Sequence, residues 1–220
     1  MATVNHGARE ITFKVVYCGT PLGGKTTNLT HIHSRLDDGI RGDLVSLATA
    51  NDRTLFFDFL PLEAPKIYGY DTKFQLYTVP GQVVYNATRQ LVLRGADGIV
   101  FVADSQMERL EENVECLHGV ENGLRQLGTS LTNIPTIYQY NKRDLSNAAP
   151  VRHMDMALNR PGNPFQTIEA CASSGIRVFE TLNAVSGMVL QKFKSEQKTQ
   201  KNNNSSNTLV QSSEGLAIMG

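Results

Sequence analysis

The sequence predicts a three-layer α/β domain: a mostly parallel β-sheet with one antiparallel edge strand and helices on both faces. Three observations lead there. Short β-branched or apolar runs alternate with helix-spaced stretches along most of the chain, the pattern of a sheet covered on both sides. The first such run leads directly into a glycine-bearing loop, Gly19 to Gly24, followed by a helical stretch. A later run ends in Asn141-Lys142-Arg143-Asp144, a polar cluster at the carboxyl end of a strand, where ligands of such sheets bind.

In chain order, Ile11 to Tyr17 (ITFKVVY) is β-branched and aromatic and reads as a buried strand, and a helix is expected from about Lys25. Residues 37–53 follow neither the helical nor the strand period, so a long loop with at most a short turn is expected; such loops within compact domains are commonly functional. Thr54 to Leu60 and Lys73 to Val79 are strand-like, and Tyr68-Gly69-Tyr70-Asp71 between them suggests a hairpin. Ile99 to Ala103 is a continuous apolar strand ended by Asp104, and Leu110, Val114, Leu117, Leu124 and Leu127 then fall at helical intervals. Ile134 to Tyr140 and Gln166 to Cys171 read as the last strands. Val178, Leu182, Val185, Val189 and Phe193 mark one face of a closing helix. From Ser195 the composition turns polar and low in complexity. Residues 1–194 are therefore read as the domain and 195–220 as a disordered polar tail.

Composition narrows the function classes. Hydrophobic residues at 40% and charged residues at 19% suit a globular chain rather than a disordered one. Basic and acidic residues balance at 21 each, leaving no basic footprint for nucleic acid and no polybasic membrane patch. Cys18, Cys116 and Cys171 are scattered, as expected of reduced thiols. The N-terminus lacks a secretory layout, and Ala2 stands where myristoylation needs glycine. No apolar run reaches membrane-spanning length, and no C-terminal cysteine is available for prenylation. A cytoplasmic protein without a stable membrane anchor is expected. His31 and His33, two apart on a helix, face different sides and make a poor metal pair.

Gly19-Thr20-Pro21-Leu22-Gly23-Gly24-Lys25-Thr26 matches G-x-x-x-x-G-K-[ST] between a strand and a helix, the context of a P-loop. A triphosphate needs many converging donors, and only a glycine-bearing loop lets successive backbone N–H groups close on it, with a helix N-terminus behind. The expected phosphate contacts are Gly19, Leu22, Gly23, Gly24, Lys25, Thr26 and Thr27. Lys25 reaches the β- and γ-phosphates, and the Thr26 hydroxyl takes a position on Mg²⁺. With glycine at about 7% of average sequence, a chance match in such a chain is on the order of one in a hundred.

Asn141-Lys142-Arg143-Asp144 adds the base. The Asp144 carboxylate can accept from both the N1–H and the 2-amino group of guanine, whereas adenine offers neither donor. A site built for such donors rejects an analogue lacking them by about 10⁴–10⁵. Asn141 can bind the purine edge or brace the phosphate loop, and the Lys142 stem can lie over the ring. GTP and GDP, with Mg²⁺, are therefore the expected ligands.

Thr78-Val79-Pro80-Gly81-Gln82 stands where Ras-like proteins carry D-x-x-G-Q, and Asp52-Arg53-Thr54 closes the long loop. These stretches, together with 45–49 (VSLAT), 53–62 (RTLFFDFLPL), 76–82 (LYTVPGQ) and 141–145 (NKRDL), resemble the MglA family of bacterial Ras-like GTPases, over about residues 9–193. The fold implied is the Ras-like G domain of the P-loop NTPases. The resemblance implies a GTP hydrolase, a small monomeric GTPase switching between GTP and GDP, that regulates cell polarity and gliding or twitching motility. It implies recruitment to cell poles, downstream polarity or motility effectors, and a roadblock-fold activator, MglB. It further implies that the Gly81 N–H contacts the γ-phosphate, that Gln82 orients the attacking water, and that Thr54 supplies a second hydroxyl to Mg²⁺. In the family a switch-loop arginine serves as the catalytic finger, which maps to Arg53. Such an arginine is worth about 10³–10⁵ in rate.

Three departures stand out. Pro21 replaces a glycine usual in Ras-like loops, removing an N–H near the γ-phosphate. Thr78 replaces the aspartate that holds Mg²⁺-bound water, and Asp58 on the neighbouring strand is its expected substitute. Cys171-Ala172-Ser173 stands at the usual S-A-K position, where the Ala172 N–H can reach guanine O6 but Ser173 cannot stack as lysine would. Pro21 and Thr78 also keep a second reading open, a nucleotide-locked scaffold with little hydrolysis. A P-loop ATPase or small-molecule kinase is a third reading, disfavoured by the Asn141 to Asp144 motif.

Overall fold

Strand β2 (Glu10–Gly19) is the axis of the molecule. Its first half alternates between half-buried and buried positions, and its last five residues are buried on both faces. That switch marks where helices begin to cover the sheet. The computed structural model describes residues 2–47, 57–79, 86–159 and 165–214.

Among the described residues the sheet has eight strands. β1 (Thr3–Asn5) folds back antiparallel on the start of β2, with Asn5 Oδ1 accepting from the Ala8 N–H at 3.0 Å in the turn. β3 (Val45–Leu47), β4 (Phe57–Ile67) and β5 (Tyr70–Thr78) form an antiparallel run. The β4–β5 turn has positive φ at Tyr68 (51°) and Gly69 (79°), the backbone of a tight hairpin that follows strand twist. β5 then pairs parallel with β2, β2 with β6 (Gly98–Asp104), β6 with β7 (Thr136–Asn141), and β7 with β8 (Gln166–Glu169). The order is β3-β4-β5-β2-β6-β7-β8, with β1 on β2.

The period-2 alternation of β2 splits the core into two layers. Phe13, Val15 and Tyr17 face one side, where they pack with Leu29 and Ile32 of α1 (Lys25–Arg35) and with Val178, Leu182, Val185, Val189 and Phe193 of α5 (Val178–Glu214). Val16 and Cys18 face the other side. There they meet Val92 and Leu93 of α2 (Asn86–Leu93), Cys116, Leu117, Val120 and Leu124 of α3 (Leu110–Gln126), and Met154 and Leu158 of α4 (Val151–Leu158). The three-layer α/β architecture is thus the one expected, and the parallel strands lie where the apolar runs put them.

The antiparallel part is larger than one edge strand. β1 and β3 are each three residues long, too short to show alternation, and β3 lies in the stretch read as loop. α2 and α4, eight residues each, are likewise shorter than a helical period can mark clearly. Helix α5 continues to Glu214, across most of the segment read as a structureless tail. No glycine or proline interrupts residues 195–214. Ser195 Oγ bonds the Lys192 carbonyl at 2.7 Å, and Thr199 Oγ1 bonds that of Ser195 at 3.1 Å, so polar side chains lie along the helix surface.

Cys18, Cys116 and Cys171 are buried free thiols, and burial pushes the Cys18 thiol up to about 12. That places Cys18 among inert structural cysteines. Among the described residues no helix is long and apolar enough to cross a membrane.

Candidate nucleotide-binding site

Of the five parallel strands, β2, β6, β7 and β8 end at one edge of the sheet beside the cleft. β2 delivers the 19–26 loop, and the register sets Gly19 opposite Val102 and Asp104 opposite Asn141. The loop is pressed onto its neighbours. A Cβ at Gly19 (φ 134°) would lie 2.0 Å from the Val102 carbonyl oxygen, and one at Gly24 (φ 102°) 2.2 Å from Asn141 Nδ2. Both backbone conformations are ones an L side chain rarely adopts, so glycine is required twice over.

Lys25 opens α1 and is 8% exposed. Its Nζ donates to the carbonyls of Gly19 at 3.0 Å and Thr20 at 2.6 Å, which holds the ammonium over its own loop. Burial draws the Lys25 ammonium below the usual lysine range. Gly23 N–H closes a turn on the Thr20 carbonyl at 3.1 Å. Arg109 Nη2 donates to the Pro21 carbonyl at 2.9 Å, so this proline, which offers no N–H, is held through its oxygen.

Asp58 lies against the loop threonine and Thr78. Thr26 Oγ1 donates to Asp58 Oδ2 at 2.6 Å, Thr78 Oγ1 to the same oxygen at 2.9 Å, and Ser46 Oγ to Asp58 Oδ1 at 2.7 Å. Asp58 N–H in turn donates to Thr78 Oγ1 at 2.8 Å. β4 and β5 pair so that Asp58 reaches across to the first residue after the glycine-lysine step of the loop. Hard oxygen donors from a threonine and a carboxylate fit Mg²⁺, which binds through few protein ligands and keeps water and phosphate oxygens. Among the described residues no group of three or more His, Cys, Asp or Glu could hold a metal ion unaided.

On the base side, a cleft of about 180 Å³ is lined by Leu22, Gly24, Thr27, Asn141, Lys142, Asp144 and Leu145, with Ala172 and Ser173. Asn141, 2% exposed, braces the phosphate loop: Nδ2 donates to the Gly23 carbonyl at 2.7 Å, and Oδ1 accepts from the Ala172 N–H at 2.9 Å. The Ala172 N–H, expected at guanine O6, is here engaged by Asn141. Asp144 is held below the usual carboxylate range first by a hydrogen bond with the Cys171 side chain, then by its own backbone N–H. Cys171 Sγ lies 3.2 Å from Ser173 Oγ. Leu22 is 86% exposed with φ 58°, a left-handed non-glycine residue on the cleft wall.

The structure therefore brings together Gly19, Leu22, Gly23, Gly24, Lys25, Thr26 and Thr27 with Asn141, Lys142, Asp144, Cys171, Ala172 and Ser173. Arg53, Thr54, Gly81 and Gln82, from the two loops expected to sense the γ-phosphate, lie outside the described residues.

Sequence reasoning missed the buried polar groups beneath the cleft. Asn28 Nδ2 donates to the Gly24 carbonyl and to Gln139 Oε1, both at 2.9 Å. Gln139 Nε2 donates to Asn28 Oδ1 and to Thr181 Oγ1, both at 3.0 Å. This ladder ties α1, β7 and α5 together under the phosphate loop. Gln139 within the apolar run ending at Tyr140 was the available signal, since a buried amide needs partners.

No family model matches the chain. The chain is 50% identical over 194 residues to the mutual gliding-motility protein MglA of Myxococcus xanthus, covering 88% of this chain and 98% of that protein. It is 24% identical over 193 residues to human ADP-ribosylation factor-like protein 4A, covering 83% of this chain and 86% of that one. At 50% identity over nearly the whole of that first relative, the chain belongs to the MglA family of Ras-like small GTPases.

Proposed function

We propose that this chain is a GTP/GDP switch that hydrolyses GTP slowly by itself and regulates bacterial motility and cell polarity. The observation that carries the proposal is the bracing of one cleft by Asn141. One side chain joins the phosphate loop at Gly23 to the guanine-facing loop at Ala172, beside Asp144. The motility role rests on the likeness to a mutual gliding-motility protein.

Lys25 and the loop N–H groups bind the phosphates, and Asp144 selects guanine. Thr26 and Thr54, with Asp58 behind Thr26, would hold Mg²⁺, which supplies charge neutralisation at the phosphate oxygens. Gln82 orients the attacking water, and Arg53 adds positive charge in the transition state. Little acid–base chemistry is needed, because positioning and charge do most of the work in phosphoryl transfer. A roadblock-fold activator of the MglB type would act on the two γ-phosphate loops, and effectors would read their GTP-ordered surface. The protein works in the cytoplasm, with recruitment to the cell poles.

Single-turnover hydrolysis of γ-labelled GTP, with and without an MglB homologue, tests this. Activator-stimulated phosphate release supports it, and GTP that stays intact in both arms refutes hydrolysis. Pro21 supports the second reading, a nucleotide-locked scaffold, because its missing N–H lies in the phosphate loop. Competition of bound labelled GDP by GTP against ATP separates both from an ATP enzyme.

A further inference from the structure

Asp104 ends β6 with its side chain 1% exposed, and nothing in the reaction above uses it. Its Oδ2 accepts from Lys142 Nζ at 2.6 Å, and its Oδ1 from the Gln106 N–H at 3.1 Å. Its main chain is clasped by Asn113 of α3: Asp104 N–H donates to Asn113 Oδ1 at 2.9 Å, and Asn113 Nδ2 donates to the Asp104 carbonyl at 2.8 Å. Asn113 Oδ1 also accepts from Thr20 Oγ1 at 3.0 Å, and the Thr20 carbonyl accepts from Lys25 Nζ at 2.6 Å. Thr20 and Asn113 are fully buried. A continuous polar path thus runs from the phosphate-binding lysine to the base-motif lysine.

Lys142 itself sits at φ 64°, a conformation few non-glycine residues adopt and one that persists only where the surroundings over-determine it. With its ammonium tied down to Asp104, its stem is presented as a wall of the base cleft. Without that acceptor, the carboxylate lining the cleft is Asp144, whose charge already feels Lys142. A lysine turned onto Asp144 would compete with the purine for the carboxylate that reads it.

We propose that Asp104 is the positioning residue for guanine recognition: it holds the Lys142 ammonium beneath the cleft, keeping Asp144 open to the base, and through Asn113 and Thr20 fixes the phosphate loop at the matching distance. This deepens the guanine-nucleotide reading and rests on it.

The test compares release of fluorescent GDP and inosine diphosphate, which lacks the 2-amino group, from wild type, Asp104→Asn, Lys142→Met and the double variant. Loss of a charge-assisted buried hydrogen bond predicts about ten- to a hundredfold faster GDP release from Asp104→Asn. The preference for GDP over inosine diphosphate should narrow with it, because Asp144 is compromised. Lys142→Met removes the ammonium that Asp104 holds, so Asp104→Asn should add no further loss of preference in the double variant beyond that of Lys142→Met alone. GDP release at the wild-type rate from Asp104→Asn, equal weakening of both nucleotides, or additive effects in the double variant would overturn the proposal. Should Asp104→Asn not fold, Asn113→Ala, which frees the Asp104 main chain and the Thr20 hydroxyl, takes its place: faster GDP release supports the proposal and a wild-type rate overturns it. Wild type that binds no GDP would instead sink the nucleotide reading itself.

Discussion

Replacing Asp58 by alanine separates what this carboxylate does for the fold from what it does for a cation. The side chain is 8% exposed and accepts from Thr26 at 2.6 Å, Ser46 at 2.7 Å and Thr78 at 2.9 Å. Thr26 and Ser46 are exposed, so their hydroxyls can turn to water when the carboxylate is gone. Thr78 is 4% exposed and cannot. One buried donor left without an acceptor costs about 1–3 kcal/mol, which is the expected loss of stability. If Asp58 also stands in for the acid that Thr78 replaces, Mg²⁺ loses a charged contact besides. A charge-assisted hydrogen bond is worth about 1.5–3 kcal/mol, or roughly ten- to a hundredfold in binding. The assay is the affinity for a fluorescent GTP analogue at saturating Mg²⁺ and in chelator, with thermal unfolding measured in parallel. The ratio of the two affinities should shrink by that factor in Asp58→Ala, while unfolding shifts only by the Thr78 amount. An unchanged ratio refutes the assignment of Asp58 to the cation, whatever happens to stability.

Gly24→Ala forces a Cβ to 2.2 Å from Asn141 Nδ2 at φ 102°, so the Asn141–Gly23 bond must break. GDP affinity by calorimetry should fall at least about tenfold, and retention of wild-type affinity would mean the brace is dispensable. Burial depresses the Lys25 pKa, so between the folded value and the ordinary lysine value near 10.4 the unfolded chain holds more protons than the folded one. Nucleotide-free protein should therefore gain stability as pH rises through that window, relative to Lys25→Met, whereas a pH-independent difference between the two would show that the ammonium is not desolvated. Gln139→Ala unties Asn28 and Thr181 in a fully buried position and should cost about 2–4 kcal/mol in denaturant unfolding. A change below about 0.5 kcal/mol would show the ladder to be inert.

Much of the cleft was legible because its chemistry is local in sequence. A phosphate cradle is built from consecutive backbone N–H groups, so Gly19 to Thr26 can be read as one string, and Asn141 to Asp144 likewise. The strand at Ile11 was plain from its β-branched and aromatic residues, and that at Ile99 from its unbroken hydrophobicity, as in strands buried on both faces. β1, β3, α2 and α4 were not, because three to eight residues hold too few periods to distinguish a helix from a loop. Helix α5 beyond Ser195 escaped for a different reason: its polar residues carry no periodic apolar face, and only the absence of glycine and proline allows the helix to go on.

By itself, then, the order of residues pointed to a P-loop motif opening a mostly parallel α/β sheet and to the Asn141 to Asp144 motif at the end of a later strand. Tertiary structure alone decided how those parts hold one another. That Asn141 braces Gly23, that Asp58 meets Thr26 and Thr78, and that Asp104 takes Lys142 are contacts between residues 20 to 118 positions apart. Nothing in the local sequence marks such pairs, because a buried hydrogen bond depends on which strands become neighbours and in what register, and that choice is made by packing the whole core.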